Sequence, residues 1–299
     1  MLKRGLIYLG LATICFSTME LTGKIVSLSL HPVQITFWRF AIGSLILFPI
    51  ALREIRQREL KLKLEDFAYF SGLGLLCIVV CMSFFQTAIL YSPASTVAVV
   101  FSANPVFTIP FSALFLNERI SARTILALIL GLVGVLIIMK PFSCGSSLNL
   151  TGVLLAFLAA VTWSLYTVLG KRRISRYGGI VQNCFSFAIG NFGLLVLFVI
   201  LKIPLLSGIS PANLWPLLYM GVFVSGLGFF FYFQGMGYTS ASMGSAVFFI
   251  KPALASILAV SLIGETLGPE LLAGIVLIVA ASVCLYKRPS RSSAAPEKR

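Results

Sequence analysis

Residues 95–118 read STVAVVFSANPVFTIPFSALFLNE, and residues 242–265 read SMGSAVFFIKPALASILAVSLIGE. At a constant offset of 147 positions, Ser95, Val100, Phe101, Pro105 and Glu118 meet Ser242, Val247, Phe248, Pro252 and Glu265. At ~1.5 Å of rise per residue each copy is about as long as a bilayer is thick. In each, a polar residue followed by proline falls near the middle: Asn104-Pro105 in the first, Lys251-Pro252 in the second. Proline removes one helical hydrogen bond, and the residue before it disfavours helical geometry. The carbonyls so freed need a protein partner, because lipid offers none. Interrupted apolar segments at matching places in two halves point to a binding site at the interruption.

The rest of the chain agrees with a membrane setting. Of 299 residues 59% are apolar and 11% charged, and the mean hydropathy is +1.01. Those values exclude an ordinary soluble protein. The net charge of +14 sits in short loops and tails between apolar runs, which argues against a nucleic-acid partner and for a lipid bilayer. Six cysteines show no metal-ligand spacing, and Cys77 and Cys81 read as packing residues on one helix face. Lys3-Arg4 with the following apolar run imitates a signal peptide. The run continues through Glu20 and Lys24, so it reads as a retained helix.

Ten spans are expected, at roughly 5–28, 33–52, 67–90, 94–116, 122–139, 150–170, 179–201, 213–237, 241–264 and 268–286. With the N-terminus inside, 18 Lys and Arg lie in inside segments against three outside (Lys24, Lys140 and Lys202). That bias makes both termini cytoplasmic. The repeat extends backwards: Gly5, Ala12, Ser17 and Gly23-Lys24 meet Gly152, Ala159, Ser164 and Gly170-Lys171, and Phe16 meets Trp163. Gln86 and Gln234 align at an offset of 148. The expected fold is therefore all-α: ten transmembrane helices as two five-helix repeats, 1–140 and 150–286, followed by a disordered cytoplasmic tail, 287–299. Five being odd, the second repeat enters the membrane inverted, with substrate near the midplane between halves.

This pattern, together with Trp38-Arg39-Phe40 early in the second span and the Pro…Glu endings of the fourth and ninth, resembles the drug/metabolite transporter superfamily of EamA type. The resemblance covers nearly the whole chain. It implies alternating access and a central cavity lined from both halves, with amino acids, other metabolites, amines or drugs as cargo, often moved outward. Relatives frequently carry Trp late in the first span, where this chain has Phe16.

Lys251 is the sharpest single signal. It lies about 15 Å into the membrane, where an ionisable side chain must be paired or functional. It reads either as a substrate or coupling contact or as a lysine bonded to carbonyls freed at Pro252. Asn104 binds substrate or bridges helices. Phe16, Trp163, Phe101 and Phe248 are candidate apolar walls, and Gln86 and Gln234 candidate lining amides. Glu20, the one carboxylate well inside a span, is expected to pair with Arg39 or with Lys24 at i+4. The alternative is proton coupling. Such a pairing leaves Lys251 without an acidic mate and waiting for a substrate anion. Pro105, Pro252, Glu118 and Glu265 mark breaks or gates, the two glutamates being expected to cap the following helices, 5 and 10.

No nucleotide-binding loop, HExxH or GxSxG motif is present, so ATP-driven transport and enzymatic chemistry are unsupported and no cofactor is implied. The expectation is a secondary transporter of a small organic metabolite, an amino acid or other carboxylate, working as an exporter in the cytoplasmic membrane. Protons are a candidate coupling ion, and the assembly state is a monomer or weak homodimer. The rivals are an exporter of cationic amines or drugs and a non-transporting receptor or scaffold.

Overall fold

The computed structural model of the protein describes residues 2–92, 94–139, 149–251, 254 and 269–286. Pro252, Glu265, Lys140 and the 287–299 tail lie outside them. The described residues are almost entirely helical, without a strand. Among the described residues ten helical segments follow the expected order. α1 is Leu2–Val26, α2 Pro32–Gln57 and α3 Leu64–Tyr91. α4 has two halves, Ala94–Ser102 and Pro105–Leu116, and α5 is Ala122–Met139. α6 is Leu150–Arg172, α7 Gly179–Leu201 and α8 Pro211–Tyr238, with a one-turn helix, Ile174–Tyr177, between α6 and α7. α9 runs over Ala241–Lys251, and α10 is Pro269–Tyr286. Six of these, α1 to α3 and α6 to α8, are long and apolar enough to cross a membrane by length and composition.

The break in α4 falls where proline predicts it, while the one expected at Pro252 lies outside the described residues. α4 stops at Ser102, turns through Ala103 and Asn104, and resumes with Pro105 in its first turn. Two further irregularities carry no proline signal. Within α3, Leu75–Met82 is π-helical, and within α8, Met220–Gly228 is too. The first stretch is wholly apolar, and the second carries one hydroxyl, Ser225, and no proline.

The two halves interlock. α1 packs on α8 and α6 on α3; α2 packs on α7, α5 on α10 and α4 on α9. Glycines set the closest crossings. A Cβ at Gly74 of α3 would lie 2.1 Å from the Ser186 carbonyl oxygen of α7, and one at Gly43 of α2 would lie 3.1 Å from Ser225 of α8. Small residues at such crossings let backbones approach and gain dispersion contacts that lipid cannot replace.

Connecting segments repeat across the two faces with the offset of 147. On the face carrying the N-terminus, Asp66 accepts the Lys63 amide at 2.8 Å, and its carboxylate receives Arg176 and the Tyr177 hydroxyl. On the opposite face, Asn213 accepts the Ser210 amide at 2.9 Å and donates to Ser29 Oγ and the Gly208 carbonyl. Equivalent loops thus close opposite faces with equivalent caps, as an inverted repeat requires.

Candidate functional site

Where the broken helices meet, the inner walls are aromatic. Phe16 of α1, Phe101 of α4, Trp163 of α6 and Phe248 of α9 contact one another around a ring. Centroid separations are 6.2 Å for Phe16–Trp163, 5.9 Å for Phe101–Trp163, 5.6 Å for Phe101–Phe248 and 6.1 Å for Phe16–Phe248. Two of these contacts are edge-to-face, one is tilted and one, Phe16–Phe248, is stacked. With Met19, Met82 and Phe229 they close an apolar chamber packed too tightly in this state to admit a water molecule. The chamber is shut and apolar. Six of these seven residues fall into repeat-related pairs: Phe16 with Trp163, Phe101 with Phe248, and Met82 with Phe229.

The carbonyls of Asn104 and Lys251, the residues before the two prolines, are held in the same paired way. Ser164 Oγ of α6 donates to the Asn104 carbonyl at 2.8 Å, and Ser17 Oγ of α1 donates to the Lys251 carbonyl at 3.4 Å. Asn104 is fully buried and donates its Nδ2 to the Phe101 carbonyl at 2.9 Å, while its Oδ1 has no partner among the described residues. It stands behind the aromatic ring rather than among the residues lining the chamber.

The charges are arranged differently from the sequence expectation. Glu20 pairs with Lys251, bringing α1 and α9 together in a salt bridge whose partners are 7% and 2% exposed. It does not pair with Lys24, which donates instead to the Ile89 carbonyl at 2.9 Å and caps the end of α3. Lys171, the repeat mate of Lys24, donates in the same way to the Met236 and Thr239 carbonyls at the end of α8. Cations there complement the negative end of a helix dipole. Arg39 does not take Glu20 either: its Nε donates to Ser225 Oγ at 3.0 Å, and its guanidinium lies 4.8 Å from the Phe40 ring centroid. The expectation of an unmated Lys251 is thereby overturned. Helix rotation turns Lys24 out toward the α3 terminus and leaves Glu20 facing α9.

Two other expectations need correction. Gln86 and Gln234 are not repeat mates. Gln86 lies against Gly23 and donates to the Gly23 carbonyl and Ser27 Oγ, whereas the residue against Gly170, the mate of Gly23, is Phe233. The offset of 147 therefore holds through α3 and α8, and neither glutamine lines the chamber. Glu118 caps α9 rather than α5: its carboxylate accepts the Ala241 amide at 2.8 Å, the Ser242 amide at 3.4 Å and Ser242 Oγ at 2.8 Å. The start of α5 is capped by Ser121, which accepts the Thr124 amide. Glu118 thus ties the end of one half to the first turn of a helix in the other, on the N-terminal face. Sequence reasoning overlooked Met19, Met82, Phe229 and Ser225. Met82 and Phe229 lie at the 147 offset, and extending the repeat through the third and eighth spans finds both.

The comparisons with known proteins bear on this geometry directly. The signature of the EamA-like transporter family matches residues 3–140 and again 150–287. An uncharacterized transporter of Clostridium kluyveri is 41% identical over 298 residues, covering 98% of this chain and 96% of its own. A pseudopaline exporter, CntI, of Pseudomonas aeruginosa is 32% identical over 146 residues, covering 49% of this chain and 50% of its own. A solved crystal structure with 21% identity superposes with a TM-score of 0.76, covering 94% of this chain and 96% of that one, and shares the fold. The family signature thus occurs twice, once over each of the halves that the paired caps and paired aromatic walls relate to one another, and the chain belongs to the EamA-like transporter family within the drug/metabolite transporter superfamily.

Proposed function

We propose that this transporter exports a small organic metabolite bearing a carboxylate, such as an amino acid or organic acid, by alternating access. The observation that carries the reading is a charge imbalance beside an apolar chamber. Arg39 and Lys251 are both buried cations, and Glu20 is the one buried carboxylate among the described residues around them. A buried excess positive charge is stabilised by a substrate anion and repels a cationic amine. The ring of Phe16, Phe101, Trp163 and Phe248 takes the apolar part of the same molecule. The Lys and Arg bias of the loops favours cytoplasmic termini. The exporter among the relatives supports outward movement.

The test is flux in proteoliposomes holding the purified full chain, with and without an imposed pH gradient, against radiolabelled amino acids, organic acids and organic cations. Accumulation of carboxylates with no cation transport is expected. Preferential transport of cationic amines overturns the reading. A response to the pH gradient that is lost in Glu20→Gln identifies protons as the coupling ion.

A further inference from the structure

We infer that Arg39 is the group that receives the substrate's carboxylate, reached from the chamber when Met19 and Met82 swing aside; the inference rests on the carboxylate reading above. Arg39 is 1% exposed. A guanidinium offers five N–H donors and stays protonated. Among the described residues the acceptors around it are weak: Ser225 Oγ at 3.0 Å from Nε, and for the second terminal nitrogen two thioethers, Met19 Sδ at 3.5 Å and Met82 Sδ at 3.6 Å. The Phe40 ring adds a cation–π contact. A buried charge held by a hydroxyl, two sulfurs and a ring face is far from the paired state that burial ordinarily requires.

The same two methionines line the chamber. The guanidinium is therefore one side chain deep behind the chamber wall, and that side chain is the unbranched, easily rotated one. A carboxylate entering between the sulfurs replaces two poor acceptors with a charge-assisted pair that the planar fork fits. Lys251 is less suited to this role, because its ammonium already holds Glu20. In this arrangement the Glu20–Lys251 pair closes the chamber between α1 and α9, and Arg39 reads the substrate's charge.

The test uses the purified full chain and its thermal stabilisation by three carboxylates with their uncharged amides: hexanoate with hexanamide, benzoate with benzamide, and N-acetylleucine with its amide. Wild type is expected to prefer at least one carboxylate over its amide. Arg39→Gln then weakens that carboxylate by about tenfold or more, leaving the amide unchanged. Arg39→Lys keeps the charge but loses the fork, and gives the same selective loss should the glutamine variant not fold. A carboxylate preference that survives both Arg39 variants overturns the inference while leaving the carboxylate reading intact. So does a parallel loss for carboxylate and amide, which marks a purely structural arginine. Absence of any carboxylate preference in wild type overturns both readings together.

Discussion

On one side of the chamber stand Glu20, Arg39 and Lys251; at the positions related by the offset of 147 stand Thr167, Ser186 and Asn104. The first set contains a buried salt bridge and a buried guanidinium. The second is neutral: Thr167 accepts the Tyr232 hydroxyl at 3.4 Å, and Asn104 Oδ1 and Ser186 Oγ have no partner among the described residues. Around both, the frame is the same. Aromatic walls, serine-held carbonyls and lysine-capped helix ends recur in each half. The frame is what two-sided opening needs, since either half can move against the other around matching contacts. The charges, among the described residues, lie on one side only.

The largest effect on this contrast is expected from dismantling the ion pair. Lys251→Met strands the Glu20 carboxylate in an apolar setting, and Glu20→Gln strands the ammonium. Each single change costs about 3–5 kcal/mol of stability. Replacing both at once, which makes this side as neutral as the Thr167/Asn104 side, recovers most of that loss or exceeds wild type by about 1–4 kcal/mol. Thermal unfolding of the two singles and the double in detergent closes the cycle. Additive losses in the double would mean that the two side chains do not act as a pair. Asn104→Ala, on the neutral side, lacks such a coupled partner and serves as the control.

Much of the frame could be read directly from the residues, and most of the charge arrangement could not. Asn104-Pro105 announces the break in α4 because proline acts locally, through its own ring and missing N–H. Repeat mates such as Ser17 and Ser164 are found by offset alone. The Glu20–Lys251 pair joins residues 231 positions apart. Which of Lys24, Arg39 and Lys251 meets Glu20 depends on how α1 is rotated against α3, α8 and α9. The i+4 spacing made Lys24 look like the partner, but the exposed carbonyls at the end of α3 compete for it. The Gln86–Gln234 alignment failed for a related reason. Identity of residue type suggested a shift in offset, whereas contact with Gly23 and Gly170 defines equivalence. The π segments left no mark at all, since any apolar run can adopt them.

A smaller effect is expected at the N-terminal face, where the halves are tied together by Glu118. Its carboxylate satisfies two amides and a hydroxyl at the start of α9, and an anion at a helix N-terminus also gains from the helix dipole. Glu118→Ala removes this cap at a cost of about 0.5–2 kcal/mol. Because the tie crosses from one half to the other, the loss concentrates in opening of this face. Amide hydrogen exchange at residues 241–245 is expected to accelerate, with exchange in the α3–α7 crossing unchanged. A uniform rise across the molecule would make Glu118 an ordinary stability residue rather than a tie between halves.

The finest comparison is between the two serines. Ser164 Oγ reaches the Asn104 carbonyl at 2.8 Å and Ser17 Oγ the Lys251 carbonyl at 3.4 Å, and each hydroxyl also bonds within its own helix, to Ala160 and Thr13 respectively. If the frame is symmetric in energy as well as in position, Ser164→Ala and Ser17→Ala cost the same. The distances say otherwise: Ser164 shares its one proton between two carbonyls at 2.8 Å, so its bond to Asn104 is worth up to about 1 kcal/mol net, whereas the Ser17 proton favours Thr13 at 2.7 Å and its contact to Lys251 lies at the edge of the useful range. Ser164→Ala is therefore expected to lower the unfolding free energy by roughly that amount and Ser17→Ala by clearly less. The inequality has a mechanical sense. The carbonyl at Lys251 belongs to the residue that grips Glu20, so α9 is already fixed to α1 by the ion pair and leans less on its serine. Adding Ser17→Ala to the Glu20→Gln/Lys251→Met background tests this. Its cost should then rise toward that of Ser164→Ala, and an unchanged cost would show that the ion pair and the serine hold α9 independently.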